Sequence, residues 1–393
     1  MYDVIVVGAR CAGAPAAMLF ARAGYRTLLI DRARFPADTL STLYVHQPAV
    51  ARLASWGVLE AVKATGCPPL DRVIYQMDDV RLDGCASGVD GISAGYAPRR
   101  YLLDQVLAEH AVAAGAEFRD GCAVRELIVS DGRVSGVRCS AALGGASAER
   151  ASLVVGADGM RSTVARLAGA RTLLCDPRLT CAYYTFWDGL ASSFELHEGT
   201  GGWVSTVPTN HGATLVAAYF PQQQFESIRH RALDAYLGNV RATAPEVFDR
   251  LGGAQRCERL RGTGDQQNFF RQAHGAGWVL VGDAGHHKDS ITARGISDAF
   301  MQAELLVRLV GDRLHDERAL RAALARFAAE REAMLMDGYR GTLLVAQMAA
   351  SERRRALLRT IAADPGMVTR YFDVFAGIRG SDELYPAELA PRA

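Results

Sequence analysis

Residues 2–32, YDVIVVGARCAGAPAAMLFARAGYRTLLIDR, read as strand, tight turn, helix and strand. Val4, Ile5, Val6 and Val7 form a β-branched run of the kind that parallel sheets bury on both faces. Gly8-Ala9-Arg10-Cys11-Ala12-Gly13 is the turn, and Ala14 to Ala23 is a helix small and apolar enough to lie close on a sheet. Gly24 ends it, Arg26 to Ile30 is the second strand, and Asp31 closes that strand, followed by Arg32. Such a unit offers an anion free backbone N–H groups and the positive end of a helix dipole. Gly8 allows the tight turn, and Gly13 lets helix and strand pack closely. An acidic residue about 20 positions on accepts from a ribose hydroxyl, and Asp31 sits there. The pattern predicts dinucleotide binding, with Cys11 and Ala12 at the pyrophosphate. It departs from the usual glycine spacing at Arg10, whose guanidinium either turns aside or neutralises the phosphates.

The chain has 393 residues, 49% hydrophobic and 22% charged, as expected for a soluble globular protein of two or three structural units. A net charge of +1 gives no electrostatic case for nucleic acid or a membrane surface as partner. No apolar run reaches the ~20 residues of a membrane span. The eight cysteines contain no CxxC pair, so neither a metal site nor a disulfide framework is expected. Strand one begins too early to leave room for a signal peptide, and a cytoplasmic location is expected. Lys63 and Lys288 are the only lysines, so lysine-dependent chemistry has two candidates.

Further along, a helix is expected over 49–64, short strands over 72–77 and 80–82, and a strong helix from Leu102 to Ala114. Strands follow at 116–119, 123–130 and 134–139, with an Asp131-Gly132 hairpin signal and a turn at Gly144-Gly145. Leu153-Val154-Val155 runs into Gly156-Ala157-Asp158-Gly159. From about 172 to 260 the period changes. Strands at 180–187, 192–197, 203–207 and 214–220 indicate a mostly antiparallel sheet, interrupted by a helix at 225–237. Gly277 to Val281 is again a buried parallel-type strand and leads to Gly282-Asp283-Ala284-Gly285-His286. A helix starts near Ser297. Residues from 317 onward have helical period, with the Arg-rich stretch 352–359 read as a solvated face.

Three glycine-rich motifs in this order resemble the FAD-dependent monooxygenases of the para-hydroxybenzoate hydroxylase type and their relatives, the flavin halogenases and geranylgeranyl reductases. The matches are Gly8 to Gly13 with Asp31, the stretch from Gly156 to Ser162, Gly282 to His286, and Arg100 in an Arg-x-x-Leu-Asp pattern ending at Asp104. The resemblance implies an α/β fold. It consists of a Rossmann-like FAD-binding domain of glutathione-reductase type (1–70, 98–171 and 261–310), an inserted mostly antiparallel substrate domain (71–97 and 172–260) and C-terminal helices (311–393). It also implies that Arg100, Asp158, Gly159, Gly282 and Asp283 hold FAD, and that Gly295 and Ile296 begin a helix beside the isoalloxazine, where a helix N-terminus stabilises negative charge. NADH or NADPH is implied as a transient reductant, with O2 and a small aromatic or polyketide-like molecule as substrates. The expected reaction is hydroxylation or oxygenation through a C4a-hydroperoxyflavin in a monomer or homodimer; dehydrogenation or alkene reduction is the alternative, followed by halogenation and by flavin binding without catalysis.

This sequence departs from the family in its third motif. Asp289-Ser290-Ile291 stands where a proline is usual, and Ala293-Arg294-Gly295 replaces Gly-Gln-Gly. Arg294 thereby becomes a candidate cation beside the flavin. His46 and His286 are acid/base candidates, as is His287. Tyr184, Phe186, Trp203 and Tyr219 are candidate substrate walls. The halogenase Trp-x-Trp-x-Ile-Pro pattern is half present as Trp203-Val-Ser-Thr-Val-Pro208.

Overall fold

The computed structural model describes residues 1–141 and 145–384. Gly144 of the expected turn therefore lies outside the described residues, as does the end of the C-terminal region. Five parallel strands form the first sheet, in the order Trp278–Leu280, Ala146–Gly156, Tyr2–Val7, Thr27–Ile30 and Glu117–Arg119, with His274–Gly275 antiparallel at one edge. Strand alternation divides the β-branched run between two cores. Val4 and Val6 pack with the helices Gly13–Arg22, Arg100–Ala113 and Gly295–Val310. Ile5 and Val7 pack beneath the hairpin Cys122–Ser130/Arg133–Ala141 and the helix Thr163–Leu167. Leu103, Leu107 and Ala111 supply the buried stripe of the second of those helices.

The second sheet runs Gln255–Arg256, Thr180–Asp188, Ala213–Pro221, Gly202–Pro208, Phe194–Gly199, Val73–Met77 and Val80–Gly84; Arg261–Thr263 also pairs with the second of these strands. Every pair is antiparallel except Phe194–Gly199 with Val73–Met77. Its alternating faces bury different partners. Cys181, Tyr183 and Trp187 meet the helices Ala232–Thr243 and Pro245–Leu251, whereas Ala182, Tyr184 and Phe186 belong to the core shared with the C-terminal helices.

The expected helix over 49–64 is two, Gln47–Ser55 and Leu59–Ala64, because the chain turns at Gly57 with φ +70°. The helix expected at 225–237 is likewise broken into short turns before Ala232–Thr243. A small sheet of Thr172–Asp176, Asn268–Arg271 and His286–His287 is absent from the sequence reading, because its strands are short and its first strand is largely exposed. The C-terminal helices Glu317–Ala346, Glu352–Ala362 and Pro365–Ala376 are capped by Asp316, Ser351 and Asp364, a contribution of ~1 kcal/mol each. The Arg-rich stretch is not simply a solvated face. Arg354 grips buried Glu198 at 2.8 Å, and Arg355 and Arg359 reach Asp78 and Asp79, so the stretch clamps its helix to the second sheet.

Candidate FAD-binding cleft

A cleft of about 680 Å³ runs between the carboxyl ends of the parallel strands and the second sheet. One end is built from the first turn. Gly8 has φ +102°, and a Cβ there would lie 2.4 Å from the Ala157 carbonyl oxygen. A Cβ on Gly13 would lie 1.7 Å from the Gly8 carbonyl oxygen, so no side chain fits at either position. Asp31 Oδ2 accepts from Ala9 N at 2.8 Å and Oδ1 from Ala33 N at 2.8 Å, which holds the carboxylate at the cleft wall beside Arg32. Arg10 turns aside. Its Nη1 donates to Asp104 Oδ2 at 2.6 Å and to the Ala37 carbonyl at 3.1 Å. Buried Arg100 shares the same carboxylate at 3.0 Å, and the Cys11 thiol donates to it at 3.3 Å. Burial opposes the Arg100 charge but Asp104 outweighs it, so the guanidinium is held charged above its ordinary range.

The middle of the cleft carries the other two motifs. Asp158 caps the helix Thr163–Leu167, with Oδ2 accepting from Thr163 N at 2.6 Å, and lies at the wall with Gly159. Gly282 has φ +60° and faces Ala12 so closely that a Cβ would meet Ala12 Cβ at 2.6 Å. Gln302 Oε1 accepts from Gly282 N at 3.0 Å, while its Nε2 is buried without a partner and lines the cleft. Half-buried Asp283 has no hydrogen-bond partner among the described residues. The cleft therefore offers a ligand an acceptor at Asp283, a donor at Gln302, and the N-termini of two helices at Gly13 and Gly295. These groups fit an extended FAD: acidic side chains for its sugar hydroxyls, helix N-termini for its phosphates and its flavin carbonyl.

Residues 1–340 match the family described as FAD binding domain. The chain belongs to that family. It is 31% identical over 312 residues to a digeranylgeranylglycerophospholipid reductase of Methanosarcina mazei, covering 77% of this chain and 74% of that one. It is 28% identical over 349 residues to a 6-methylpretetramide 4-monooxygenase of Streptomyces rimosus, covering 84% and 81%. In fold it resembles a myxobacterial chondrochloren halogenase, with TM-score 0.79 and 20% identity over 95% of this chain and 92% of that one. The protein is thus an enzyme, an FAD-dependent oxidoreductase. Among the described residues no helix is long and apolar enough to cross a membrane.

The far half of the flavoprotein's cleft separates the substrate candidates. Tyr184 and Tyr219 line it. Phe186 and Trp203 share their sheet face but not the cleft: the Arg99 guanidinium covers Phe186 at 3.8 Å from the ring centroid, and Trp203 is buried against Tyr75. Gly295 and Ile296 line the cleft, but Arg294 between them and Ala293 does not. Its guanidinium runs under the C-terminal helices, where a Cβ on Gly377 would lie 2.1 Å from Nη2. Gly338 and Gly377, distant in sequence, leave the space that this side chain fills, so sequence adjacency misplaces its charge. His286 lines the cleft against Phe270, at 4.4 Å between ring centroids, and burial holds its imidazole neutral, well below its ordinary range. Lys288 pairs with Asp298, both buried. Gln266, Asp289 and Gln302 are cleft residues that the sequence reading passes over; Asp289 is marked there only by the missing proline.

His46 lies behind the cleft, packed between Tyr44 and Phe375 with Nε2 3.3 Å from the Thr292 carbonyl. Burial, followed by the Arg294 charge, pushes its imidazole from 6.5 down to about 3, so it stays neutral near pH 7. Below pH 6.5 the unfolded chain binds a proton that the folded chain refuses, and stability falls as pH falls, by up to ~1.4 kcal/mol per pH unit. Replacing His46 by Gln is expected to remove about 2 kcal/mol of acid-induced loss over about one and a half pH units below that value, read from urea unfolding at each pH. An unchanged slope in His46→Gln would mean that the imidazole is solvated and titrates normally.

Proposed function

We propose that this flavoprotein is an NAD(P)H-dependent monooxygenase acting on a compact aromatic or polyketide-like molecule. The observation that carries the reading is the chamber beside Gly295 and Ile296. Tyr184 and Tyr219 form its aromatic wall, and Gln266, Asp289 and Ser290 give that wall a polar edge. Such walls suit a flat ring bearing polar substituents. FAD, when bound, supplies two-electron reduction by NAD(P)H and activation of O2. The protein's own residues do the rest. The N-terminus of the helix Gly295–Val310 favours negative charge at the flavin edge, the two tyrosines orient the substrate, and the second sheet excludes water. The 28% identity to a monooxygenase supports the reading.

Alkene reduction is the second reading, favoured by the 31% identity to a lipid reductase. Halogenation draws no support from the lysines: Lys63 is paired with Glu60 at the surface, and the Lys288 ammonium is committed to Asp298. The deciding experiment supplies the FAD-loaded protein with NADH or NADPH, isotopically labelled O2 and a panel of polycyclic phenols. Label in the product, with phenol-stimulated consumption of the reductant, is the expected result. Saturation of an alkene under anaerobic conditions, with no labelled product from any phenol, would replace the proposal with the reductase reading.

A further inference from the structure

The polar edge of the chamber is a chain of hydrogen bonds whose direction the backbone fixes. Gln266 Oε1 accepts from the Ser290 backbone N–H at 3.1 Å. A backbone N–H can only donate, so this contact settles which end of the Gln266 amide is oxygen. The Ser290 hydroxyl, 2.5 Å from the same Oε1, must therefore donate to it. That commits the serine proton, and the Tyr219 hydroxyl, 3.0 Å from Ser290 Oγ, is left to donate to the serine. On the other side of the amide, Gln266 Nε2 donates to Thr180 Oγ1 at 2.7 Å, and Thr180 donates to Asp289 Oδ2 at 2.6 Å. Asp289 Oδ1 is held by Ile291 N at 3.1 Å. Tyr219 is 1% exposed, Thr180 0%, Gln266 3% and Asp289 1%, while Ser290 is half-buried at the cleft wall.

From this geometry we infer that Tyr219 faces the substrate as a hydrogen-bond acceptor only, so that the chamber selects a molecule bearing a hydroxyl or N–H donor at that point. Gln266 is the positioning residue that enforces the polarity. The inference rests on the reading of the Tyr184–Tyr219 chamber as the substrate site, and it narrows the substrate class from aromatic molecules in general to those that donate there. A methyl ether at the same place leaves the tyrosine oxygen desolvated and unpaired, which is the stronger basis for discrimination. Tyr184 differs from Tyr219. Its hydroxyl oxygen receives the Ser41 backbone N–H at 3.4 Å, which leaves its own proton available, so the two rings offer opposite polarities on one face.

The test reads binding alone, in oxidised FAD-loaded protein without reductant. The flavin absorbance is titrated with 2-naphthol and 2-methoxynaphthalene, and with further phenol and methyl-ether pairs of one to three rings. The phenols are expected to bind about tenfold tighter than their ethers. Tyr219→Phe is expected to bring each pair to within about threefold of one another. Gln266→Leu is expected to do the same with Tyr219 intact, because Ser290 is then free to donate to the tyrosine. Gln266→Glu, which still accepts from Ser290, is expected to restore the preference. Rescue by glutamate separates polarity from a mere packing role. Equal binding of phenols and ethers to the unaltered protein, no binding of any phenol, or a preference that survives Tyr219→Phe would each overturn the inference. If the preference holds while no labelled oxygen enters a product, the monooxygenase reading fails and the polarity of the chamber stands.

Discussion

Gly13→Val is expected to yield a protein that loses FAD and about 3–5 kcal/mol of stability, beyond the ~1–3 kcal/mol that overpacking typically costs. The position has ordinary helical backbone, so the cause is steric rather than conformational. A Cβ there would stand 1.7 Å from the Gly8 carbonyl oxygen and 3.1 Å from Ala157 Cβ. Neither neighbour can yield. Gly8 N donates to the Ile30 carbonyl at 2.7 Å, and Ala157 N donates to the Val7 carbonyl at 2.7 Å, so the turn is fastened to two parallel strands at once. Gly24→Ala is the control. Gly24 has φ +87° but nothing within 4 Å of the missing Cβ, so its replacement should cost only about 1 kcal/mol and leave FAD binding intact. Urea midpoints and the flavin-to-protein absorbance ratio check both. A yellow Gly13→Val protein with an unshifted midpoint would mean that helix and strand do not approach as closely as the structure places them.

What the sequence discloses depends on how local the determinant is. The first βαβ unit is legible because Gly13 answers to a contact within its own turn, the Gly8 carbonyl, and because the β-branched run suits a strand buried on both faces. The period change at 172 discloses the second sheet through strand-length runs at regular spacing, although Thr180–Asp188 itself is buried on both faces and shows no alternation. The site is less legible because its side chains are placed by register and by distant elements. Tyr184 and Phe186 share one face of one strand, yet only the first reaches the cleft, since Arg99 from another segment covers the second. Arg294 sits between cleft residues in sequence and points away from the cleft, because Gly338 and Gly377, from the C-terminal helices, leave the space its guanidinium fills. The Tyr219 chain draws on residues 180, 219, 266, 289 and 290, and no local pattern relates these. The broken helix at Gly57 is a different failure: helical spacing continues on both sides of a glycine whose φ the sequence does not print.

Asp104 illustrates how such long-range placement can be tested, and Asp104→Asn is expected to destabilise the FAD-free protein by about 3–5 kcal/mol. Its carboxylate is fully buried and serves three groups at once: Arg100 at 3.0 Å, Arg10 at 2.6 Å and the Cys11 thiol at 3.3 Å. An asparagine keeps the shape and removes the charge. Two guanidiniums would then remain beside the first turn, that of Arg100 in a site too buried for water to compensate it. Both lie at the cleft wall next to the helix N-terminus expected to face the FAD pyrophosphate. A bound pyrophosphate supplies the negative charge that the variant lacks, and a ligand that binds only the folded state stabilises it by mass action. The loss should therefore shrink by about half or more in saturating FAD, which requires the variant to bind FAD about tenfold or more tightly than the unaltered protein. Urea unfolding with and without excess FAD measures both quantities. An equal loss in the two conditions would show that Arg10 and Arg100 belong to the scaffold alone. A smaller loss with FAD would show that the arginine standing in place of the middle glycine is part of a cationic pair shared between a buried aspartate and the cofactor's phosphates.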